Sequence, residues 1–340
     1  MQTVSVHTPV TGAVHDVPVT DGGEPPEPLP DDHDEPVVLD LIASRESTED
    51  GSSRSETSEE VSVALSTDVL FDVDESELRP DAEAELKEVA EEIESSGATK
   101  VKIDGHTDDT GTDEINEPLS EDRAAAVEKR LKELAGEDGI EYTSQGHGSE
   151  EPVAENDTEE NRQKNRRVTV GFDTPEGGAS EPGPSAAPSA PADEPAEEGG
   201  YGTADIAEGE ESEYLHSLQV RVDSVDRSSA GGLTTLRYTV LNSANEESAI
   251  LAGDLGNVSV CGGVGDGRLN GSVLTDDAAS LSYPVVRYPS EDCLAPRGNG
   301  VTVMPNEGLT LWQAFWLDPA TTEVTVHVPR FDPVKGVPVI

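Results

Sequence analysis

Two hydrophobic periods alternate along this chain between residues 61 and 173, and only one of them is present later on. Val61-Ser62-Val63-Ala64-Leu65 alternates apolar with polar and predicts a strand, set off by Thr67-Asp68 from Val69-Leu70-Phe71-Asp72. Arg79-Pro80-Asp81 then places a proline and acids where a helix start tolerates them. Leu86, Val89, Ala90 and Ile93 recur at helical spacing, and Ser95-Ser96-Gly97 ends the helix. Val101 and Ile103 mark a second strand, which stops at Gly105. A second helix is predicted from about Ser120 to Ala135, announced by Pro118 and Leu119, with Val127, Leu131 and Leu134 facing inward. Residues 140–145 read as a third strand leading into Gly146-His147-Gly148. Asn156-Asp157-Thr158 caps a short helix through Arg162 to Asn165, and residues 168–172 form the closing strand. This order predicts an α+β unit over 61–173, a β-α-β-α-β sheet with its helices on one face.

The flanks read differently. Residues 1–35 hold acidic and proline-rich runs that bury too little apolar surface to fold alone. Residues 36–60 contain a strand (35–45 at its widest) and then a polar spacer from Glu46 to Ser58. Residues 174–213, rich in Pro, Ala, Ser, Gly and Glu, predict an extended tether. From Tyr214 to the end only strands are predicted, at residues 218–222, 236–240, 309–317 and 324–328. Turn signals at Ala230-Gly231-Gly232 and Pro305-Asn306-Glu307-Gly308 separate them. Strands without helices over residues 214–340 predict a β-sandwich of immunoglobulin-like character.

Charge removes whole classes of function. With 72 acidic and 22 basic residues the chain carries a formal charge of -50. That balance excludes a nucleic-acid role, which needs a basic face, and opposes docking on an anionic membrane. A salt-rich habitat and self-solvating acidic segments both account for the acidity. No run of about 18 apolar residues exists, so no transmembrane helix is expected. Residues 1–36 lack the basic start and apolar core of a signal peptide, so an export signal is not visible in this chain. The two cysteines, Cys261 and Cys293, fall in the all-β region with no metal-type spacing; they are the disulfide candidate if the protein is exported.

The chemistry concentrates in one constellation: Gly105-His106-Thr107-Asp108, Asn116, Leu119-Ser120, Arg123-Ala124 and Asn165-Arg166-Arg167-Val168. Asp108 follows a strand end and Arg123 is expected about one turn into a helix, so both sit on rigid elements. A carboxylate accepts from an ammonium and a guanidinium forks onto a carboxylate, and the two together match a free amino-acid head group. A cation in a first helical turn is unfavourable, which calls for an anion to hold it there.

This run resembles the OmpA-like C-terminal domain, the module that holds bacterial outer-envelope proteins on peptidoglycan. The resemblance spans about residues 61–173. It implies that Asp108 accepts the ammonium of a stem-peptide diaminopimelate and that Arg123 binds the carboxylate of the same residue. Asn116 matches the asparagine that precedes the Leu-Ser pair, although Glu117-Pro118 stands where the family has a freer pair. Asp74 falls at a polar position of the pocket, and Arg166 is its second basic wall. The all-β region resembles the accessory domain of actinobacterial members. The implied function is that of a non-enzymatic, extracytoplasmic cell-envelope protein with peptidoglycan as partner and no cofactor. Two alternatives stay open. One is an envelope adhesin with a degenerate OmpA-like domain, whose β-domain holds an unknown protein partner; the other is a calcium-dependent surface module. A hydrolase trio of Ser120, His106 and Asp108 is not favoured, because Ser120 reads as a helix cap and no nucleophile elbow surrounds it. Asp104, His106, Asp108, Asp109 and Asp113 lack the ordered pattern of a calcium loop. His147, between two glycines, reads as a turn residue.

Overall fold

A computed structural model describes residues 3–8, 12–18, 41–136, 138–174, 200–208, 217–228, 232–244, 249–251, 271–288, 293–295 and 301–340. The chain divides into two compact units, one of Ile42–Ser189 with Asp277–Tyr283, the other of the remainder. The N-terminal stretch, expected to be without structure, carries the antiparallel pair β1 (Thr3–Thr8) and β2 (Gly12–Pro18). Val4 and Val6 alternate along β1 and stand opposite Val17 and Val14 of β2, a pairing that the bulk composition hides.

The first unit is a mixed sheet covered by helices. Its elements are β3 (Ala43–Ser47), β4 (Ser53–Glu56), β5 (Glu60–Ser66), α1 (Thr67–Leu70), α2 (Ala82–Ser96), β6 (Lys100–Gly105), α3 (Asp113–Ala135), β7 (Glu141–Gly146), α4 (Glu159–Asn165) and β8 (Arg167–Asp173). The strands lie in the order β3-β4-β5-β8-β6-β7, and Leu281 and Ser282 add to the β3 edge opposite Ser47 and Glu46. All pairs are antiparallel except β6 with β7, whose parallel pairing the β-α-β connection through α3 requires. Alternate residues of β8 (Val168, Val170, Phe172) and of β6 (Val101, Ile103) are buried. α2 buries Ala82, Leu86, Val89, Ala90 and Ile93 in the same core, a stripe at helical spacing. Gly97, at φ 70°, ends α2 in the left-handed conformation that glycine adopts freely.

Two boundaries differ from expectation. The stretch read as a polar spacer contains β4, which pairs with both β3 and β5. An edge hairpin open to water on one face needs no apolar run, so polarity concealed it. The second helix begins at Asp113, well before Ser120. Asp113 and Glu114 occupy its first turn, where acids suit the positive end of the dipole. Pro118 is then the sixth helical residue, inside the helix, and leaves the Glu114 carbonyl without its intrahelical donor.

The second unit contains β9 (Gly202–Asp205), β10 (Leu218–Arg227), β11 (Leu233–Asn242), β12 (Ala249–Leu251), β13 (Val273–Asp276), β15 (Val301–Val303), β16 (Gly308–Trp316), β17 (Glu323–His327) and β18 (Val334–Pro338); β14 (Leu281–Pro284), between β13 and β15 in sequence, belongs but for Pro284 to the first unit. β9 lies in the segment read as tether and pairs with β10, so the folded unit begins earlier than Tyr214. A four-stranded antiparallel sheet, β16-β11-β10-β9, and the antiparallel strands β13, β17 and β18 make up most of it. Val220, Val222, Leu236, Tyr238, Val240, Phe315, Val326 and Val337 form its interior. Cys293 is disulfide-bonded; Cys261, its expected partner, lies outside the described residues, as do Ala230 and Gly231 of the first turn signal. At the second, Asn306 takes φ 57° and Glu307 N bonds Met304 O. No helix among the described residues is long and apolar enough to cross a membrane.

Candidate functional site

The site stands where β6 and β7, running parallel, both end against α3. Gly105 pairs with Gly146 on one side and Val168 on the other. A side chain on Gly105 would run into the Ser120 carbonyl, and one on Gly146 into the backbone at Glu121. These two glycines let the helix approach the strand ends closely. Ser120, expected as a helix cap, is instead a fully buried residue inside α3. Its Oγ donates to Glu117 O (2.8 Å) and accepts from Gly148 N (2.9 Å), tying the loop after β7 to the helix. Thr107 N donates to Gly148 O and His106 N to Arg167 O, so the loop after β6 is fixed on both flanks.

Asp108 is buried on this loop. One carboxylate oxygen accepts from Thr110 N (2.9 Å) and from the Thr110 hydroxyl, and the other accepts from Arg166 Nη1 (2.7 Å). Burial pushes its pKa up, but the Thr110 and Arg166 hydrogen bonds overcome it and hold the carboxyl below its usual range. Asn116 is buried and braces the same loop, its Nδ2 donating to Thr110 O at 3.0 Å. That contact makes it a support for Asp108. Asp109, next in sequence, is exposed and lies 3.4 Å from Arg162.

Arg123 lies ten residues into α3, beyond the reach of the dipole's positive end, so the first-turn argument does not apply to it. It is buried on the helix face that also carries Asn116, Ser120, Ala124, Val127 and Leu131. Its Nε donates to Glu75 O (2.9 Å), Nη2 reaches Asp72 O (3.5 Å), and the guanidinium lies 5.2 Å from the Phe71 ring centre. Among the described residues no carboxylate comes within ion-pair distance of it. Burial lowers its pKa, against the pull of Asp68 and Asp74. Asp74 is exposed, at φ 60°, in the loop whose carbonyls hold Arg123. The loop's backbone contacts are the part of the site that sequence reasoning missed, since carbonyl positions leave no residue signature.

Arg166 is the electrostatic hub. It pairs with Asp108, Asp68 (2.9 Å) and Glu159 (2.8 Å), and the hydrogen bonds it donates to Asp68 lead in raising its pKa. Asn165, fully buried, accepts from Val153 N and Ala154 N and shapes the neighbouring loop. His106 stacks on His147 with ring centres 5.0 Å apart, and burial, then Arg167, push its pKa down to about 3. His147 Nε2 meets Asp104 at 2.9 Å. Neither ring reaches the Ser120 hydroxyl in a hydrogen bond, so no nucleophile–base pair forms. No metal-holding group of acids, histidines and cysteines occurs among the described residues.

Comparison with known proteins covers the same region. A family model described as the OmpA family matches residues 70–166. Outer membrane porin F of Pseudomonas aeruginosa is 40% identical over 106 residues, 31% of this chain and 30% of that protein. The lipoprotein YfiB of Escherichia coli strain K12 is 36% identical over 114 residues, 34% of this chain and 71% of that protein. Among solved structures, the peptidoglycan-associated lipoprotein from Burkholderia pseudomallei aligns at 31% identity over 31% of this chain and 87% of that one, with a TM-score of 0.28. The chain thus spans less than a third of porin F and more than two thirds of YfiB. Through residues 70–166, which hold Asp108, Arg123 and Arg166, the chain belongs to the OmpA family, whose non-enzymatic domains bind peptidoglycan in the cell envelope.

Proposed function

We propose that this protein is a cell-envelope anchor that holds peptidoglycan non-covalently by the diaminopimelate of its stem peptides. The observation that carries the reading is Arg123: a buried guanidinium, held by two carbonyls and a ring, with no carboxylate of its own among the described residues. Burying a cation without a counter-charge is costly unless a ligand completes it. The free end of diaminopimelate carries a carboxylate and an ammonium side by side. The carboxylate forks onto Arg123. The ammonium takes the acceptor site left on Asp108, whose other contacts use three of about four. Each charge-assisted bond is worth about 1.5–3 kcal/mol, and a polymer offering many copies needs no tight single contact.

The all-β unit is read as an accessory domain of immunoglobulin-like, actinobacterial type, with a partner yet to be found and an extracytoplasmic location. Co-sedimentation of the purified chain with insoluble wall tests the proposal. Retention is expected on diaminopimelate-type wall and loss on lysine-type wall, whose stem residue has the ammonium without the neighbouring carboxylate. Equal retention on both would contradict it.

A further inference from the structure

Arg166 has almost no capacity left for a ligand. Of the five N–H donors of a guanidinium, Nε and one Nη2 hydrogen go to Asp68 (3.1 and 2.9 Å), the other Nη2 hydrogen to Glu159 (2.8 Å) and one Nη1 hydrogen to Asp108 (2.7 Å). The residue expected as a second basic wall is therefore surrounded by acids. Asp68 and Glu159 form the open rim of this cluster, 44% and 70% exposed, whereas Asp108 is 6% exposed. Asp68, Asp74 and Asp108 are also the acids whose charge acts on Arg123. Arg123 and Arg166 thus stand among the carboxylates of Asp68, Asp74, Asp108 and Glu159, with Arg79 reaching, of these residues, only the main-chain carbonyl of Asp68 (3.1 Å).

A zwitterionic head group adds no net charge to this field. A further carboxylate on the ligand does. It finds Arg123 occupied and Arg166 neutralised, and it meets Asp68 and Glu159. In a stem peptide such a carboxylate is close by, on the γ-linked glutamyl residue that precedes the diaminopimelate. We infer that Asp68 and Glu159 are specificity residues that select stem peptides whose glutamyl α-carboxyl is amidated over those in which it is free. The inference rests on the wall-binding reading above.

The test uses two probes, N-acetyl-L-alanyl-γ-D-glutamyl-meso-diaminopimelate and the same peptide with its glutamyl α-carboxyl amidated. Each is titrated calorimetrically into the full chain at low ionic strength. The amidated peptide is expected to bind about tenfold more tightly, since like charges across an interface oppose binding. Raising the salt narrows the gap, because both rim acids are exposed to screening. The double variant Asp68→Asn/Glu159→Gln, which also releases Arg166, is expected to reduce the preference to about twofold. Glu159→Gln alone, at a mostly exposed position, narrows it part of the way and keeps the test open should the double variant not fold. Equal binding of the two peptides by the wild-type chain overturns the inference, as does a preference that neither variant alters. Failure of the wild-type chain to bind either peptide overturns the wall-binding reading, and this inference with it.

Discussion

Arg123→Met is expected to reduce retention on diaminopimelate-type wall by at least about thirtyfold while the chain stays folded. Methionine keeps an unbranched apolar stem against Phe71, so the packing half of the contact persists. It removes the one buried cation in the site that lacks a carboxylate partner among the described residues. The cost to the fold is the loss of the bonds to Glu75 O and Asp72 O, about 1–3 kcal/mol where those carbonyls find no water. Alanine would lose both halves and confuse a binding defect with a folding one. Co-sedimentation and a thermal melt of the same preparation separate the two. A folded Arg123→Met protein that binds like wild type would remove this residue from the site.

Gly105→Ala is expected to destabilise the first unit by about 3 kcal/mol, or to lower its melting temperature by roughly 10 °C or more. The new methyl would overlap the Ser120 carbonyl oxygen and lie 3.0 Å from its carbon, both of them backbone atoms. Gly105 cannot retreat, because it is held in register between β7 and β8. Helix α3 must move off, and with it Asn116, Ser120 and Arg123. Gly97→Ala is the matched control. It imposes a left-handed strain at φ 70° but meets nothing within 4 Å, so about 1 kcal/mol is expected. Similar melts for the two variants would mean that α3 stands further from the sheet than its glycines imply.

How much of this was legible from sequence depended on what occupied each buried position. The core of the first unit was readable because Leu86, Val89, Ala90 and Ile93 keep a helical period, and Val168, Val170 and Phe172 a strand period. α3 was readable only from its middle onward. Its buried stripe runs Asn116, Ser120, Arg123, Ala124, Val127, Leu131; the first three are polar and shape the site, the last three are apolar and fill the core. Hydrophobic periodicity sees the second half alone, so it starts the helix too late and sets Arg123 near its first turn. The motif names Asp108, Arg123 and Arg166 together, and the geometry links the outer two directly, Arg166 to Asp108 at 2.7 Å. What the motif did not contain was who satisfies whom. Asp68 and Glu159 lie 98 and 7 residues from Arg166 along the chain, and their convergence on it is a product of the fold.

Displacement from the wall tests the central claim most directly. The chain is bound to insoluble diaminopimelate-type peptidoglycan and washed with either free meso-diaminopimelate or Nα-acetyl-lysinamide at the same concentration. The first carries the ammonium and carboxylate pair; the second carries an ammonium and no carboxylate. Release by meso-diaminopimelate alone is the predicted result. Release by both alike, or by neither, would contradict a site built on Asp108 and Arg123.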